Sequence, residues 1–455
     1  MAALTEGLAG HIRIKAKRRR QKTNLSSGEI SRHQRKDEDI MSFAEHRERL
    51  YQTIAENTLV IAYAGIPIHA NEDDYLDFVV NSQYFYLTGM ERENTAFLAY
   101  KTAEKTQEIL FIEEPDPQSE RWTGKMPTRE EVQEISGIGD VRYTDSLEDA
   151  ISSFIGWYRV EQVYFDLYRC RMNDLPDYNL VMAERFRRAY PHVILKDLRT
   201  ACVPLREQKD AQEVESIRKA LDITCQGLEY VMKNLKPGMM EYQVQADFEY
   251  TCRRLGAKRQ AFPTIAGSGI NGCMMHYETN HCEVQDGSLI LLDLGVKHGN
   301  YCSDITRTYP ANGKFSPRQR EIYELVLKAN EAVAAAAKPG ITTKDLNDVA
   351  RRVLGEGLIA LGMIQDASEV NKYYMHSVSH PIGIDVHDIS LAGDVLAPGW
   401  VISNEPGLYI DEEAIGIRIE DDLLITEDGC EVLSKDIIKD PDEIESFMAK
   451  TVQDS

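Results

Sequence analysis

Gly287-Ser288-Leu289-Ile290-Leu291-Leu292-Asp293-Leu294 reads as a buried strand holding one foreign residue, a carboxylate six positions after the glycine. A short apolar run bounded by turn residues is the usual signature of such a strand. Gly399-Trp400-Val401-Ile402-Ser403-Asn404-Glu405 repeats the arrangement at the same offset. Upstream of each lies the same order of signals. One predicted helix begins near Asp210, where acidic residues crowd a first turn, and runs to about Asn234. It stops at Lys236-Pro237-Gly238, and a second helical pattern continues through Leu255. Its counterpart runs from Pro317 to Ala337, stops at Lys338-Pro339-Gly340, and is followed by a helical pattern through Leu361. Two helix–stop–helix–strand blocks in one order predict an internally duplicated domain. A site fed by both halves belongs at the pseudo-twofold interface.

Other acidic residues also stand where strands ought to be apolar: Asp304 in Tyr301-Cys302-Ser303-Asp304-Ile305-Thr306, and Glu420 in Ile417-Arg418-Ile419-Glu420. Burying an unpaired carboxylate costs several kcal/mol, so each calls for a cation, a metal or a proton. Arg418 and Glu420, two apart, share a strand face. With Glu405 and His380 added, four carboxylates and an imidazole are enough to neutralise two divalent cations. An oxygen-dominated donor set favours Mn²⁺, Co²⁺ or Fe²⁺ over a thiolate-type zinc site.

Two other motifs fail on context. Gly267-Ser268-Gly269-Ile270-Asn271-Gly272 matches G-x-G-x-x-G, but no helical period follows it, so it reads as a plain glycine loop. His376-Ser377-Val378-Ser379-His380 resembles a helical zinc pair, yet Pro381 follows directly and disfavours helix.

Residues 43–200 read as an α/β domain. Helical spacing covers Phe43 to Ile54, and strands are predicted at 59–63, 96–100, 109–112, 163–165 and 193–195. Thr128 with Glu130-Glu131 marks a capped helix start. Residues 1–40 carry ten Lys or Arg against five acids, which leaves about −27 of the chain's −22 on the remainder. That segment reads as a basic, disordered arm, with a targeting peptide or a start placed too early before Met41 as alternatives; it is expected to be dispensable. The acidic body excludes nucleic acid as a partner. No stretch approaches the ~18 uninterrupted apolar residues of a membrane helix. Eight dispersed cysteines without a C-x-x-C pair suit a reducing, cytoplasmic setting, with organellar import the alternative if residues 1–40 are a leader.

The order Asp293, Asp304, His380, Glu405, Glu420 resembles the metal-ligand pentad of the pita-bread metallopeptidases. The flanking words agree: Ser303-Asp304-Ile305-Thr306-Arg307-Thr308, His380-Pro381-Ile382-Gly383, Val386-His387-Asp388, Asn404-Glu405-Pro406-Gly407 and Arg418-Ile419-Glu420-Asp421. With Asn81-Ser82 and Phe85-Tyr86-Leu87-Thr88-Gly89 in the first half, the layout is similar to bacterial aminopeptidase P. The resemblance implies an aminopeptidase P-like domain at 41–205, an α+β pita-bread catalytic domain at 206–445, and a tail at 446–455. It implies an enzyme that removes an N-terminal residue when proline follows it. Prolidase is the nearest competitor, and a non-catalytic peptide-binding relative the more distant one.

The resemblance further implies that Asp304 and Glu420 bridge two divalent metals, with Mn²⁺ favoured. Asp293 would complete one site, and His380 and Glu405 the other. Glu405 would be the general base, while His276 or His387 would stabilise the tetrahedral intermediate. His276, His376, His387, Arg418 and Tyr409 would bind or orient the peptide. A homo-oligomer, dimer or tetramer, is expected, with Tyr84-Phe85-Tyr86 either reaching a neighbouring site or forming a buried strand.

Overall fold

Six strands from the first half pair into one mixed sheet: β1 (Thr58–Tyr63), β2 (Ala96–Lys101), β3 (Thr106–Ile112), β4 (Val141–Tyr143), β5 (Gln162–Phe165) and β6 (Ile194–Asp197), in the order β4-β3-β2-β1-β5-β6. The computed structural model describes residues 43–391, 393 and 395–453; the basic segment 1–40 lies outside them. β1, β2 and β3 form an antiparallel meander, whereas β4, β5 and β6 each run parallel to the neighbour nearer the centre. The central strands are apolar on both faces because both faces are covered. Val60, Ala62, Phe97 and Ala99 join the large core, while Leu59, Ile61, Leu98 and Ile109 pack into a second one. A sheet buried on both sides reads as continuous apolar runs rather than alternation. β4 was not predicted: at three residues it is too short to make a run.

One expectation is corrected here. Tyr84-Phe85-Tyr86 is buried, but as the middle of a helix, Ser82–Thr88, and not as a strand. Asn81 caps it by accepting from the Tyr84 N–H, and Gly89 ends it at φ 70°. Two boundaries also fall inside elements. The helix Leu198–Glu207 spans 205/206, and the helix Pro441–Gln453 runs through 445/446. Among the described residues, no helix is long and apolar enough to cross a membrane.

The long helix Ala211–Asn234 starts where predicted, because Asp210 and Glu213 close a capping box around its first turn. The same two acids grip His46 from the helix Phe43–Thr53. Its Nε2 lies 3.0 Å from Asp210 and 3.8 Å from Glu213, and Nδ1 donates to the Tyr86 carbonyl. Burial opposes the charged imidazole, but the hydrogen bond to Asp210 and the charge of Glu213 outweigh it and raise the His46 pKa. A raised histidine pKa adds stability that is complete below the unfolded value and lost as pH rises through the folded one. Unfolding free energy should therefore decline as pH rises above about 6.5. Denaturant melts of His46→Gln should lack that pH-dependent loss and show about 1.5–3 kcal/mol lower stability at pH 6.

The duplication is visible in hydrogen bonds as well as in element order. After the first helix of each half, Gly238 and Gly340 turn the chain at φ 86° and 89°. The Gly238 N–H donates to Val284 O and the Val284 N–H to Met239 O; Gly340 with Leu396, and Leu396 with Ile341, repeat both bonds. Three residues beyond each partner, Gly287 and Gly399 stand at φ 77° and 91°, opening β8 (Leu289–Leu294) and β12 (Val401–Asn404). The intervening strands are β7 (Ile265–Ser268), β9 (Lys297–His298), β10 (Tyr301–Cys302) and β11 (Ile305–Pro310). β13 (Gly407–Ile410), β14 (Ile415–Arg418), β15 (Asp421–Ile425) and β16 (Cys430–Val432) complete the second half. Antiparallel sheets β11-β8-β7 and β12-β15-β16 result. They meet where the Glu420 N–H, just before β15, donates to Thr306 O; the hydroxyl of Thr308 bonds the backbone of Arg418 at the end of β14, which pairs separately with β13.

Candidate active site and metal centre

The meeting line of the two half-sheets is where the carboxylates gather. Asp293 is on β8, and Asp304 immediately precedes β11. Glu405 follows β12 directly, and Glu420 precedes β15. His380 lies on an irregular segment drawn alongside β12: its N–H donates to Ser403 Oγ, and the Ser403 N–H returns to its carbonyl. All five line one cavity of about 490 Å³, together with His276, His376, His387 and Arg418. Thus nine of the ten residues proposed from sequence line one cavity. Tyr409 sits behind it, 2% exposed, with its hydroxyl between His376 and Arg418.

The donors have the geometry of a cation site. Ligand atoms of Asp304, His380 and Glu420 lie within 4.8 Å of one another. His380 Nε2 is 3.4 Å from Asp304 and 3.5 Å from Glu405, while Nδ1 is 3.1 Å from the Pro381 carbonyl. A proton on Nδ1 for that carbonyl leaves the Nε2 lone pair facing the carboxylates, as in metal-ligating histidines. Asp293 gives one oxygen to Arg418 at 2.6 Å and leaves the other buried and unpartnered. Burial and the crowding of Asp293, Asp422 and Glu405 raise the Asp304 carboxyl well above its ordinary range. Burial and the same kind of crowding raise Glu420 well above its range too, and burial raises Glu405. Among the described residues, Arg418 is the one Lys or Arg lining the cavity, against five acids there: Glu278, Asp293, Asp304, Glu405 and Glu420. Divalent cations fit this donor set, because they supply the missing positive charge.

The histidines divide by their bonds. In His376, Nδ1 is 2.7 Å from the Ser377 carbonyl and Nε2 is 2.8 Å from the Tyr409 hydroxyl, so both nitrogens are occupied. Burial, then the Arg418 charge, pushes its pKa down to about 4 and keeps it neutral. His387 stacks on His380 with ring centroids 3.8 Å apart. Burial, with His380 and His276 close by, also holds it down to about 4. Both are neutral hydrogen-bonding groups at neutral pH.

The sequence reading missed three neighbours. The Thr306 hydroxyl donates to Glu420 Oε2 at 2.7 Å and accepts from Arg418 Nε at 2.9 Å, fixing both. Asp422, fully buried, accepts the Asp304 N–H at 3.3 Å. Ser379 lines the cavity with a buried, unpartnered hydroxyl. The available signal for Asp422 was a third acid in the run Glu420-Asp421-Asp422 inside an apolar strand. The glycine motif is structural, as read. It runs from β7 into a short turn at Gly269–Cys273, and a Cβ on Gly267 would come within 2.8 Å of the Asn271 carbonyl.

Known proteins resemble the chain over about nine-tenths of its length. Residues 215–427 match the model of metallopeptidase family M24, and residues 43–164 match that of the aminopeptidase P N-terminal domain. The chain is 31% identical to the Xaa-Pro aminopeptidase of Escherichia coli over 432 residues, 89% of this chain and 97% of that protein. A Bacillus anthracis structure provisionally assigned to aminopeptidase P superposes with a TM-score of 0.88 at 43% identity, covering 90% of this chain and 98% of that one. The E. coli aminopeptidase P structure with the inhibitor Pro-Leu gives a TM-score of 0.83 at 29% identity, with coverage of 90% and 98%.

Proposed function

The chain belongs to metallopeptidase family M24, and from that premise we propose that it releases the N-terminal residue from peptides with proline in second position, using two divalent cations, Mn²⁺ by preference. It is a metal-dependent hydrolase of the aminopeptidase P type. The observation that carries the reading is the convergence of Asp293, Asp304, His380, Glu405 and Glu420 on one cavity wall. Asp304 and Glu420 would be shared between the ions, Asp293 would complete one site, and His380 with Glu405 the other.

Cations bound there would polarise the scissile carbonyl and acidify the attacking water. The remaining work falls to the chain. Glu405 takes the proton of that water and passes it toward the leaving imino nitrogen. His276 and His387, both lining the cavity, are placed to donate to the developing oxyanion. Arg418 orients Asp293 directly, and its hydrogen bond to Tyr409 in turn holds His376. Phe262, Ile265, Met275 and Val386 give the wall an apolar side that suits a pyrrolidine ring. Among the described residues lining the cavity, Arg418 is the one Lys or Arg and it is bonded to Asp293, so none is left to clamp a C-terminal carboxylate, which favours an aminopeptidase over a dipeptidase.

Xaa-Pro dipeptides should be poorer substrates than Xaa-Pro-Yaa and longer peptides in a side-by-side kcat/KM comparison; hydrolysis confined to dipeptides would make the chain a prolidase. A homo-oligomer belongs to the same proposal, and a monomeric mass by light scattering at assay concentration would remove it. The eight free cysteines support a cytoplasmic location.

A further inference from the structure

The segment Pro381 to Asp388 joins two of the cavity's imidazoles without a helix or named strand of its own. Backbone bonds close it on itself, from Asp388 N–H to Pro381 O at 2.9 Å and from Gly383 N–H to Asp385 O at 3.1 Å. Its outer side is fixed by buried charges drawn from distant parts of the chain. Arg206 Nη2 donates to Asp385 Oδ2 at 2.9 Å and also to Asp388 Oδ1, while Nη1 donates to Gln83 Oε1 at 2.9 Å. The Lys209 ammonium stands 3.2 Å from Asp388 Oδ2, and the Ser82 hydroxyl donates to Asp385 Oδ1 at 2.7 Å. The side chains of Arg206, Lys209 and Asp388 are each 1% exposed.

Two cations and the Asp388 carboxylate, with Asp385 at the edge and its side chain 40% exposed, are a costly way to fill an interior, since apolar groups of the same volume often stabilise more. The best-attested return on such a cluster is one enforced geometry. Here the enforced residue is the neighbour of Asp388, His387, whose ring lies on His380. The fit has no slack: a Cβ on Gly383 would come within 2.0 Å of Asp388 Oδ2.

We propose that Arg206, Asp385 and Asp388, tied to the first domain through Ser82, form a positioning clamp that sets His387 for the substrate. Full turnover then depends on a contact from the first domain, more than 300 residues away in the chain from the loop it steadies. The proposal rests on the reading of His387 as a residue that touches substrate. A lysine at 206 would keep the charge but lose the planar fork that reaches Gln83, Asp385 and Asp388 together.

The test is a double-mutant cycle on the metal-loaded full chain, with kcat, KM and bound metal measured for Ser82→Ala, Asp385→Asn, His387→Ala and the Asp385→Asn/His387→Ala pair. Ser82→Ala and Asp385→Asn should each lower kcat by about ten-fold, the scale of a sub-ångström misplacement, with KM and metal content near wild type. Arg206→Lys should share that defect if it folds; the two milder variants carry the test if it does not. The double variant should turn over no more slowly than His387→Ala alone. Losses that multiply in the double variant, or single variants with wild-type kcat, would overturn the clamp. Wild-type kcat in His387→Ala would instead overturn the role of His387, and the clamp with it.

Discussion

Replacing Asp304 by Asn should lower kcat/KM on an Xaa-Pro-Yaa peptide by about 10³-fold, the scale of a lost metal contribution of several kcal/mol. Asp304 is 4% exposed, its backbone N–H is held by Asp422, and its carboxylate lies between His380 and Glu420. The amide keeps the shape but removes a charge from the centre of the donor set. Without metal the same change should not destabilise the fold. A carboxyl raised by burial and by Asp293, Asp422 and Glu405 is costly to ionise, so the neutral amide relieves repulsion. Thermal melts should therefore show metal-free Asp304→Asn at or above metal-free wild type. The rise in Tm that Mn²⁺ gives the wild type should be missing. Metal content by elemental analysis checks the same point directly. Near-normal turnover with full metal in both Asp304→Asn and Glu420→Gln would remove the proposed ligand set.

Arg307→Met should cost about 3–5 kcal/mol of stability, because one side of a fully buried ion pair would be left behind. Arg307 and Asp421 are both 0% exposed and meet at 2.8 Å. The guanidinium also donates to the carbonyls of Thr306, Glu420, Ile437 and Ile438. It thus ties β11 to the segment that delivers Glu420 and to the chain beyond β16. Burial works against the Asp421 carboxylate, but Arg307 and Lys439 overcome it and bring the carboxyl down to about 2. A depressed carboxyl contributes stability that is complete above its unfolded pKa near 3.9 and lost as pH falls through the folded value. Denaturant melts of the wild type should accordingly lose this contribution between about pH 4 and pH 2. Arg307→Met should be weaker already at pH 7.

The carboxylates and the duplication were legible for a physical reason. An acid inside an apolar strand is expensive, so Asp293, Asp304 and Glu420 stand out residue by residue. Paired turns need glycines at positive φ, so Gly238, Gly340, Gly287 and Gly399 mark both halves. The apolar runs at β1, β2 and β3 could be read because that sheet is covered on both faces. Tyr84-Phe85-Tyr86 could not be resolved on apolarity alone, since a buried strand and a short buried helix look alike over a few residues. The deciding cues were local but easily passed over: Asn81 as a cap and Gly89 as a left-handed end.

What stayed hidden is non-local. The partner of Asp422 is the amide of Asp304, 118 residues away, and Ser82 meets Asp385 across 303. No spacing in the chain encodes either contact. Tyr409 was expected to bind or orient the peptide; it lies outside the cavity lining, and its link to His376 emerged only from the fold.

The most direct measurement is activity against metal occupancy. Purified protein is stripped with a chelator, dialysed, and titrated with Mn²⁺ while release of the first residue from an Xaa-Pro-Yaa peptide is followed. The stripped protein should be inactive, and activity should rise with added Mn²⁺ and level off at about two equivalents per chain, the count of a two-metal site. Unchanged hydrolysis by the stripped protein, or no release of the first residue at any Mn²⁺ level, would contradict the account.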